Sequence, residues 1–378
     1  MYKCIVLVAA LVAMGMAIAA DPPAHQCARL LQRACLDSPY ATLNKQSKSI
    51  FRRLYEHVFG IKQVPYNPSS ALDPEAKYAY VSNVGEVKIY RPELFSKIRV
   101  GIGISEESYI NALSTENLSC LRSDSKSGQA FWVSNDGSIV LKTLKHYEVC
   151  NLRGVLDSYY GHLIDSASCI ASILGIYRVT THKGVVKYFM VNRNVYPSPI
   201  ISKLASSGDK MKDGKNIVIR KWDLKGSTIG RRAAVTSTVM KDLDLMGSGQ
   251  LLQLGATKEF LLQTLERDVR FLRTHKFMDY SLLVAETSNE GHHAAANAVL
   301  RHSSHLGRVL DHKGKLVLRG ENGRVYYFGI IDFLQKYSVR KSLETMLKGL
   351  LYDKAKISCV NPVLYARRMI AFINKFCL

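Results

Sequence analysis

Residues 325–335 read VYYFGIIDFLQ, an apolar run that is followed directly by an aspartate. The run predicts a strand over Val325–Ile331, with the Asp332 carboxylate emerging at its end. A hard cation such as Mg²⁺ needs oxygen ligands that are held on rigid backbone, and the end of a strand provides this. Asp332 is therefore a candidate metal ligand. A simple cap or turn role is the competing interpretation.

A second aspartate stands among apolar residues. Asp279 lies in MDYSLL, residues 278–283, where a charge is costly unless it is solvated or used. Phosphoryl transfer needs a cation on the nucleotide phosphates, a carboxylate that holds Mg²⁺, a second carboxylate that orients the attacking hydroxyl, and a loop that covers the phosphates. Asp279 is the candidate for the second carboxylate, and a cap or turn role is again the alternative.

The candidate cation lies in a predicted hairpin. Residues 131–133 and 138–142 flank Asn-Asp-Gly, which favours a tight turn because glycine readily adopts positive φ. Lys142 ends the second strand, where an inward-facing ammonium could reach the α/β-phosphates and be fixed by Glu148. For a single strand lysine, an edge position with the ammonium in solvent is the competing interpretation.

The loop before this hairpin carries Ser127 and Gly128. Backbone N–H groups of such a glycine loop can cradle phosphate, although an ordinary surface turn would have the same sequence.

The formal net charge of +21 predicts a partner rich in phosphate. The densest basic cluster attached to a glycine turn is DLKGST, residues 223–228, followed by Arg231 and Arg232. These cations suit an anionic substrate or an anionic membrane, and a generic solvated face is the bland alternative. No recognised nucleic-acid-reading motif accompanies the charge, so a nucleic-acid partner is not expected.

Periodicity predicts an α+β fold with two lobes and a cleft between them. Helical spacing of apolar residues begins near Glu148 and recurs in two later segments, whereas two more apolar runs indicate strands. The later helices are expected at 260–275 and 364–376, and the strands at 187–191 and 216–220.

The ordered motifs resemble the phosphatidylinositol phosphate kinases over roughly residues 88–378. The motifs are Ser127-Gly128, IVLKT at 139–143, Asn194-Val195, DLKGS at 223–227, Asp268 with MDYSLL, and GIIDFLQ at 329–335. The resemblance implies an antiparallel sheet in the N-lobe and a smaller mixed C-lobe, with ATP and Mg²⁺ as cofactors. A protein-kinase assignment is disfavoured because neither aspartate motif has the protein-kinase form.

The resemblance also implies roles for individual residues. Ser127, Gly128, Lys142 and Asn194 would contact ATP, with Glu148 as the ion-pair partner of Lys142. Asp279 would be the catalytic carboxylate and Asp332 would hold Mg²⁺. Lys225 and Arg231 would face the phosphate of a phosphoinositide headgroup in an anionic membrane surface.

Substrate choice is predicted from the segment after the Mg²⁺-binding aspartate. Glu344 and the placement of Glu148 resemble the type I enzymes, which phosphorylate the 5-hydroxyl of phosphatidylinositol 4-phosphate. Lys354 and Lys356 match the lysines of a membrane-inserting specificity loop, although their flanks match type I imperfectly. The alternatives are a type II-like 4-kinase acting on phosphatidylinositol 5-phosphate and a catalytically silent phosphoinositide-binding scaffold. A homodimer is left open.

The amino-terminal region conflicts with this assignment. Residues 1–20 have the charged start, apolar run and small-residue end of a secretory signal peptide, whereas the family implies a peripheral location at the cytosolic face of a membrane. An uncleaved anchor and a misassigned start are the alternatives. Residues 21–85 are expected to be a linker or partly ordered extension.

Two further features fall outside the predicted catalytic set. The eight cysteines are expected to be mostly buried thiols, with a local Cys27–Cys35 bridge as the alternative in a secreted chain. The histidine-rich insert from Thr287 to Gly323 is expected to be a disordered loop, and zinc binding there is the minority interpretation because its spacings fit no ordinary site.

Overall fold

The computed structural model describes residues 62–65, 76–82, 85–113, 118–121, 131–181, 184–196, 218–287, 315–337 and 361–378. The chain divides into two compact units. The first contains the described residues up to His146 together with Ile173–Asn192, and the second contains Tyr147–Ser172 and everything from Arg193 onward. Among the described helices, none is both long and apolar enough to span a bilayer.

The first unit is built on an eight-stranded sheet with the order β1-β2-β3-β7-β8-β6-β5-β4. The strands are β1 (Lys62–Pro65), β2 (Ala76–Ser82), β3 (Gly85–Tyr90), β4 (Leu118–Leu121), β5 (Phe131–Ser134), β6 (Ile139–Leu144), β7 (Ile173–Thr181) and β8 (Val186–Arg193). The pairs β1–β2, β2–β3, β3–β7, β7–β8, β4–β5 and β5–β6 are antiparallel.

The predicted hairpin is confirmed as β5 and β6. Gly137 has a φ of 64°, which is the left-handed backbone that its turn requires. The Asp136 carboxylate accepts hydrogen bonds from Ser134 Oγ at 2.5 Å and from the Ser138 N–H at 2.9 Å, and these contacts close the turn.

Two helices accompany this sheet, α1 (Pro92–Gly101) and α2 (Glu106–Ala112). Ser105 caps α2 because its hydroxyl accepts a hydrogen bond from the Ser108 N–H at 3.1 Å. The Arg99 guanidinium joins the helices, donating from Nε to Glu106 Oε1 at 2.8 Å and from Nη2 to Oε2 at 2.9 Å.

The second unit is built on a five-stranded mixed sheet, with one parallel pair and three antiparallel pairs. Its order is β10-β9-β12-β14-β13, and the strands are β9 (Val218–Leu224), β10 (Met240–Lys241), β12 (Ser281–Thr287), β13 (Leu316–Arg319) and β14 (Val325–Ile331). A separate two-stranded sheet pairs β11 (Phe277–Met278) with β15 (Gln335–Lys336). The mixed sheet is the smaller of the two main sheets, although its unit takes up more of the described chain.

The helices of the second unit are α3 (His146–Arg153), α4 (Leu156–Asp165), α5 (Asp242–Ser248), α6 (Lys258–Thr274) and α7 (Pro362–Phe376). The apolar stripe of α6 is buried, including Leu261, Leu265 and Leu272. Asn361 caps α7 through a hydrogen bond from the Leu364 N–H to its side-chain oxygen at 2.9 Å. The helices predicted at 260–275 and 364–376 are therefore confirmed as α6 and α7.

Several sequence expectations need correction. The single helix expected from Glu148 is two helices, because the chain breaks at Gly154 and Val155 between α3 and α4. The disordered loop expected over 287–323 is wrong at its carboxyl end, where β13 forms because Leu316 and Leu318 are buried. Residues 288–314 lie outside the described residues. Residues 21–85, expected to be a linker or partly ordered extension, include β1 and β2, and this favours the second of these alternatives.

Three described cysteines are free thiols. Cys169 and Cys377 are buried as expected, whereas Cys150 is exposed. Burial raises the pKa of the Cys377 thiol to about 12, so this cysteine is unreactive at neutral pH.

Lys221 is a lysine in the core of the second unit. It is only 6% exposed, and its ammonium lies 5.3 Å from the centroid of the Tyr196 ring. Desolvation lowers the pKa of this lysine below its ordinary value. Burial of the charged form therefore opposes folding, and the cation–π contact offsets only part of that cost.

We expect Lys221→Met to stabilise the protein by about 1 kcal/mol at neutral pH, because methionine fills the same space without a buried charge. The pKa of Lys221 is lower in the folded protein than in the unfolded one. The loss of free energy of unfolding caused by its buried charge therefore shrinks as the pH rises toward the pKa of the unfolded state. Urea unfolding of both proteins at pH 7 and pH 9.5 measures this. A variant that is less stable at pH 7 would contradict it.

Candidate active site

Three neighbouring strands of the mixed sheet bring the candidate residues to one edge of the sheet, the edge formed by the ends of these strands. Leu282 of β12 pairs with Leu224, the last residue of β9, and Ser281 pairs with Ile331, the last residue of β14. Lys225 follows β9, Asp332 follows β14, and Asp279 comes just before β12. These three residues are far apart in sequence, and the register of the sheet places them at the same edge.

The Asp279 carboxylate is held by a lysine that the sequence assigned to the lipid headgroup. Lys225 Nζ lies 2.8 Å from Asp279 Oδ1 and also donates to the Asp279 backbone oxygen at 2.8 Å. These two contacts fix Asp279, whose φ of 63° is unusual for a residue other than glycine. Asp279 is 36% exposed at the side chain, so its carboxylate remains open to a substrate.

Asp332 has a similar backbone. Its φ is 59°, and the residue is exposed at the end of β14. The segments that flank the two aspartates are tied together, because Phe277 pairs with Lys336 and Met278 pairs with Gln335 in the two-stranded sheet. Two aspartates in left-handed backbone, held by one small sheet, indicate a site that stores strain for function.

The helix that carries Glu148 contacts the segment after Asp332. Asn151 Nδ2 donates to the Leu334 backbone oxygen at 2.9 Å, and the Tyr147 hydroxyl donates to Gln335 Oε1 at 3.1 Å. A displacement of α3 would therefore act on the Asp332 segment directly. Sequence reasoning did not find Tyr147 and Asn151, since nothing in their local pattern distinguishes them.

The DLKGS turn is built around a buried carboxylate that sequence reasoning also missed. Asp242 is 0% exposed, and its Oδ1 accepts hydrogen bonds from the N–H groups of Lys225 at 2.9 Å and Gly226 at 2.7 Å. Its Oδ2 accepts from Arg231 Nε at 2.6 Å. Asp242 thereby fixes the backbone from which Lys225 reaches Asp279.

Arg231 needs correction as a headgroup ligand. The residue is 7% exposed, and its guanidinium contacts Asp242, Asp223 Oδ1 at 3.0 Å and the Asp223 backbone oxygen. Its pKa stays above the ordinary value because these carboxylates outweigh desolvation, the largest single influence. With its Nε and Nη2 donors directed to internal acceptors, Arg231 supports the turn, and the predicted phosphate contact is not what this geometry favours.

Helix α7 packs beneath this turn. Gly226 has a φ of 66°, and a Cβ at this position would lie 3.1 Å from the backbone oxygen of Arg368. The Tyr365 hydroxyl donates to the backbone oxygen of Tyr280, next to Asp279. Burial holds the pKa of Tyr365 well above its ordinary value, so this hydroxyl keeps its proton and remains a donor. Position 226 therefore needs glycine, because the backbone of α7 approaches the turn closely there. Through the hydrogen bond of Tyr365, α7 also supports the segment that contains Asp279.

Lys142 and Asn194 are buried, in different units. Lys142 is 4% exposed on β6, a strand between β5 and β8, so the alternative of an edge lysine with its ammonium in solvent is wrong. Asn194 is 4% exposed, and its side-chain oxygen accepts a hydrogen bond from the Tyr196 N–H at 3.2 Å. Glu148 is half-buried in the first turn of α3. Its pairing with Lys142 stays a prediction.

Asp268 has a structural role. It is 0% exposed and accepts hydrogen bonds from Ser168 Oγ at 2.9 Å and the Cys169 N–H at 2.5 Å, and its Oδ1 lies 2.7 Å from His162 Nε2. The adjacent Cys169 and Ala171 are joined to Ile330 of β14 by backbone hydrogen bonds of 2.6 and 2.9 Å. Asp268 thus anchors α6 to the chain that braces the Asp332 strand.

The remaining predicted site residues, Ser127, Gly128, Glu344, Lys354 and Lys356, lie outside the described residues. Within the described ranges no group of three or more metal-ligating side chains is found. Mg²⁺ in phosphoryl-transfer sites is commonly held by one or two carboxylates together with substrate phosphates, so a full protein cage is not required. The exposed Asp332 carboxylate fits this requirement.

The mixed sheet therefore presents a carboxylate fixed by a lysine and a second, exposed carboxylate at one edge, which are the two acidic groups that a phosphotransferase needs. A family model described as phosphatidylinositol-4-phosphate 5-kinase matches residues 112–315 and 313–376. The chain therefore belongs to the phosphatidylinositol phosphate kinase family.

The individual relatives include proteins named 4-phosphate 5-kinases and proteins named 5-phosphate 4-kinases. The chain is 26% identical over 326 residues to phosphatidylinositol 4-phosphate 5-kinase of Plasmodium falciparum, covering 76% of this chain and 18% of the relative. It is 28% identical over 329 residues to phosphatidylinositol 5-phosphate 4-kinase type-2 alpha of Rattus norvegicus, covering 76% and 77%. Phosphatidylinositol 4-phosphate 5-kinase type-1 beta of Gallus gallus is 28% identical over 327 residues, covering 76% and 57%.

Proposed function

We propose that this chain transfers the γ-phosphate of ATP to the 5-hydroxyl of phosphatidylinositol 4-phosphate at an anionic membrane surface. The observation that carries the proposal is the convergence of Lys225, Asp279 and Asp332 at one edge of the mixed sheet. Kinase chemistry is supported by the family, and type I regiochemistry is supported by Glu344 and Glu148.

In the proposed reaction, the inositol oxygen forms a bond to the γ-phosphorus while the bond between that phosphorus and the β–γ bridging oxygen breaks. The Asp279 carboxylate accepts a hydrogen bond from the attacking hydroxyl and receives its proton, and ADP leaves. Lys225 keeps the carboxylate oriented through its 2.8 Å contact. Asp332 is the residue that would hold Mg²⁺, and the bound ion would neutralise part of the phosphate charge.

The experiment that tests this proposal incubates the purified full chain with labelled ATP and two sets of phosphatidylcholine vesicles. One set contains phosphatidylinositol 4-phosphate and the other contains phosphatidylinositol 5-phosphate. We expect faster labelling of the first set, and chromatography of the deacylated product should place the new phosphate on the 5-hydroxyl.

Preferential labelling of phosphatidylinositol 5-phosphate would instead support the 4-kinase alternative, which has the Rattus norvegicus relative in its favour. Lipid binding without labelling, while a known kinase labels the same vesicles, would support the silent scaffold. Either result would overturn the proposed 5-kinase activity.

A further inference from the structure

A polar groove lies at the opposite end of the mixed sheet from the candidate active site. It has a volume of about 460 Å³ and is lined by Arg220, Gly249, Gln250, Leu251, Gln253, Asn322 and Arg324. Arg220 is near the start of β9, and Arg324 directly precedes β14. Since a seven-residue strand is about 20 Å long, the groove is distinct from the edge that carries Asp279 and Asp332.

Two arginines that line the groove are held by one buried carboxylate. Glu286 is 1% exposed and accepts hydrogen bonds from Arg220 Nε at 2.7 Å, from Arg220 Nη2 at 3.1 Å and from Arg324 Nη1. Two guanidiniums thus face a single carboxylate, which leaves one positive charge in excess. Arg220 Nη1 and Arg324 Nη2 donate to no acceptor among the described residues.

Two amides on the rim also have unused hydrogen-bonding capacity. Within the part of the chain that the structure describes, the side chains of Gln250 and Gln253 make no hydrogen bonds, although Gln253 is half-buried. These amides are therefore open to a ligand, and their N–H groups can donate hydrogen bonds to its oxygens.

The wall that carries these glutamines is fixed by backbone hydrogen bonds on two sides. Leu252 exchanges backbone hydrogen bonds with Phe376 and Leu378, each of 2.9 Å. The Gln253 N–H donates to the Tyr326 hydroxyl at 3.3 Å, and its backbone oxygen accepts from Glu321 at 3.0 Å. The groove is therefore formed before any ligand arrives, which lowers the entropic cost of binding.

From these contacts we propose that the groove over Glu286 binds a soluble phosphate monoester. Guanidiniums held by a carboxylate present their remaining N–H groups in a fixed direction, an arrangement suited to bidentate contact with phosphate oxygens. The glutamine amides donate to the remaining oxygens or contact the hydroxyls of the ester. The ligand is a small molecule in solution because the groove has a volume of only about 460 Å³ and lies at the far end of the sheet from the proposed lipid site.

Binding is measured by calorimetry with glycerol 3-phosphate as the probe, on the full chain. We expect saturable binding with one site, and Gln253→Glu should weaken it on the order of tenfold because a carboxylate then faces the phosphate. Arg324→Lys keeps the charge beside Glu286 but removes the planar fork, so it should weaken binding less. Gln263→Glu, on α6 and outside the groove, makes the same change in net charge and serves as the matched control.

Three results would overturn the proposal. They are no binding to the unaltered chain, an equal loss in Gln253→Glu and Gln263→Glu, and binding only to phosphatidylcholine vesicles that carry phosphatidic acid, the lipid form of the same phosphate monoester. Circular dichroism verifies that each variant is folded. None of these readouts depends on kinase activity, so the groove proposal and the proposed reaction fail or succeed separately.

Discussion

Asp279→Asn is expected to slow phosphoinositide labelling by about 10³-fold, because the amide cannot accept the proton of the attacking hydroxyl. Asparagine adopts positive φ at least as readily as aspartate does, so the backbone at 63° is retained. The lost ion pair with Lys225 is partly exposed and contributes at most about 1 kcal/mol. Initial rates at saturating ATP, together with the melting temperature, measure both expectations.

Asp244→Asn provides the matched control for this variant. Its Oδ2 accepts hydrogen bonds from the N–H groups of Ala233 and Lys241, each within 2.9 Å, and it touches none of the candidate catalytic residues. We expect it to retain most of the activity. If Asp279→Asn retained most of its activity as well, Asp279 would not be the catalytic carboxylate.

Asp242→Ala is expected to lower the free energy of unfolding by about 3–5 kcal/mol, because it leaves the Arg231 guanidinium and two backbone N–H groups without this acceptor. Most of the loss comes from the buried charge of Arg231, which Asp223 balances only in part. Urea unfolding monitored by circular dichroism measures the change.

Asp244→Ala, two residues further along α5, should cost only about 1 kcal/mol, since Asp244 is only half-buried. Desolvation opposes ionisation of Asp244 most strongly, yet the hydrogen bonds from Lys241 and Ala233 together lower its pKa. Equal destabilisation by the two alanine variants would contradict the role given to Asp242.

The sequence predicted the elements of the active site better than the contacts between them. VYYFGII and MDYSLL are apolar runs that end or begin beside an aspartate, and such local patterns are sufficient to predict a strand with a carboxylate at its end. The register that brings Asp279, Asp332 and Lys225 to one edge depends on pairing between distant strands, which no local pattern encodes.

The contact between Arg231 and Asp242 is a second feature that the local sequence could not predict. From the sequence alone, a basic residue after a glycine turn suggests a phosphate ligand. The folded structure shows instead that Arg231 is paired with the buried carboxylate of Asp242, eleven residues later. The break between α3 and α4 was missed for a related reason, since the apolar spacing continues through Gly154 and Val155.

The most direct test of the central claim is a crystal structure of the chain with Mg²⁺ and a non-hydrolysable ATP analogue. We predict that an Asp332 carboxylate oxygen ligates the magnesium ion, that Lys142 Nζ lies within hydrogen-bonding distance of an α- or β-phosphate oxygen, and that Asp279 faces the γ-phosphate. A nucleotide bound away from any one of these three side chains would contradict the account.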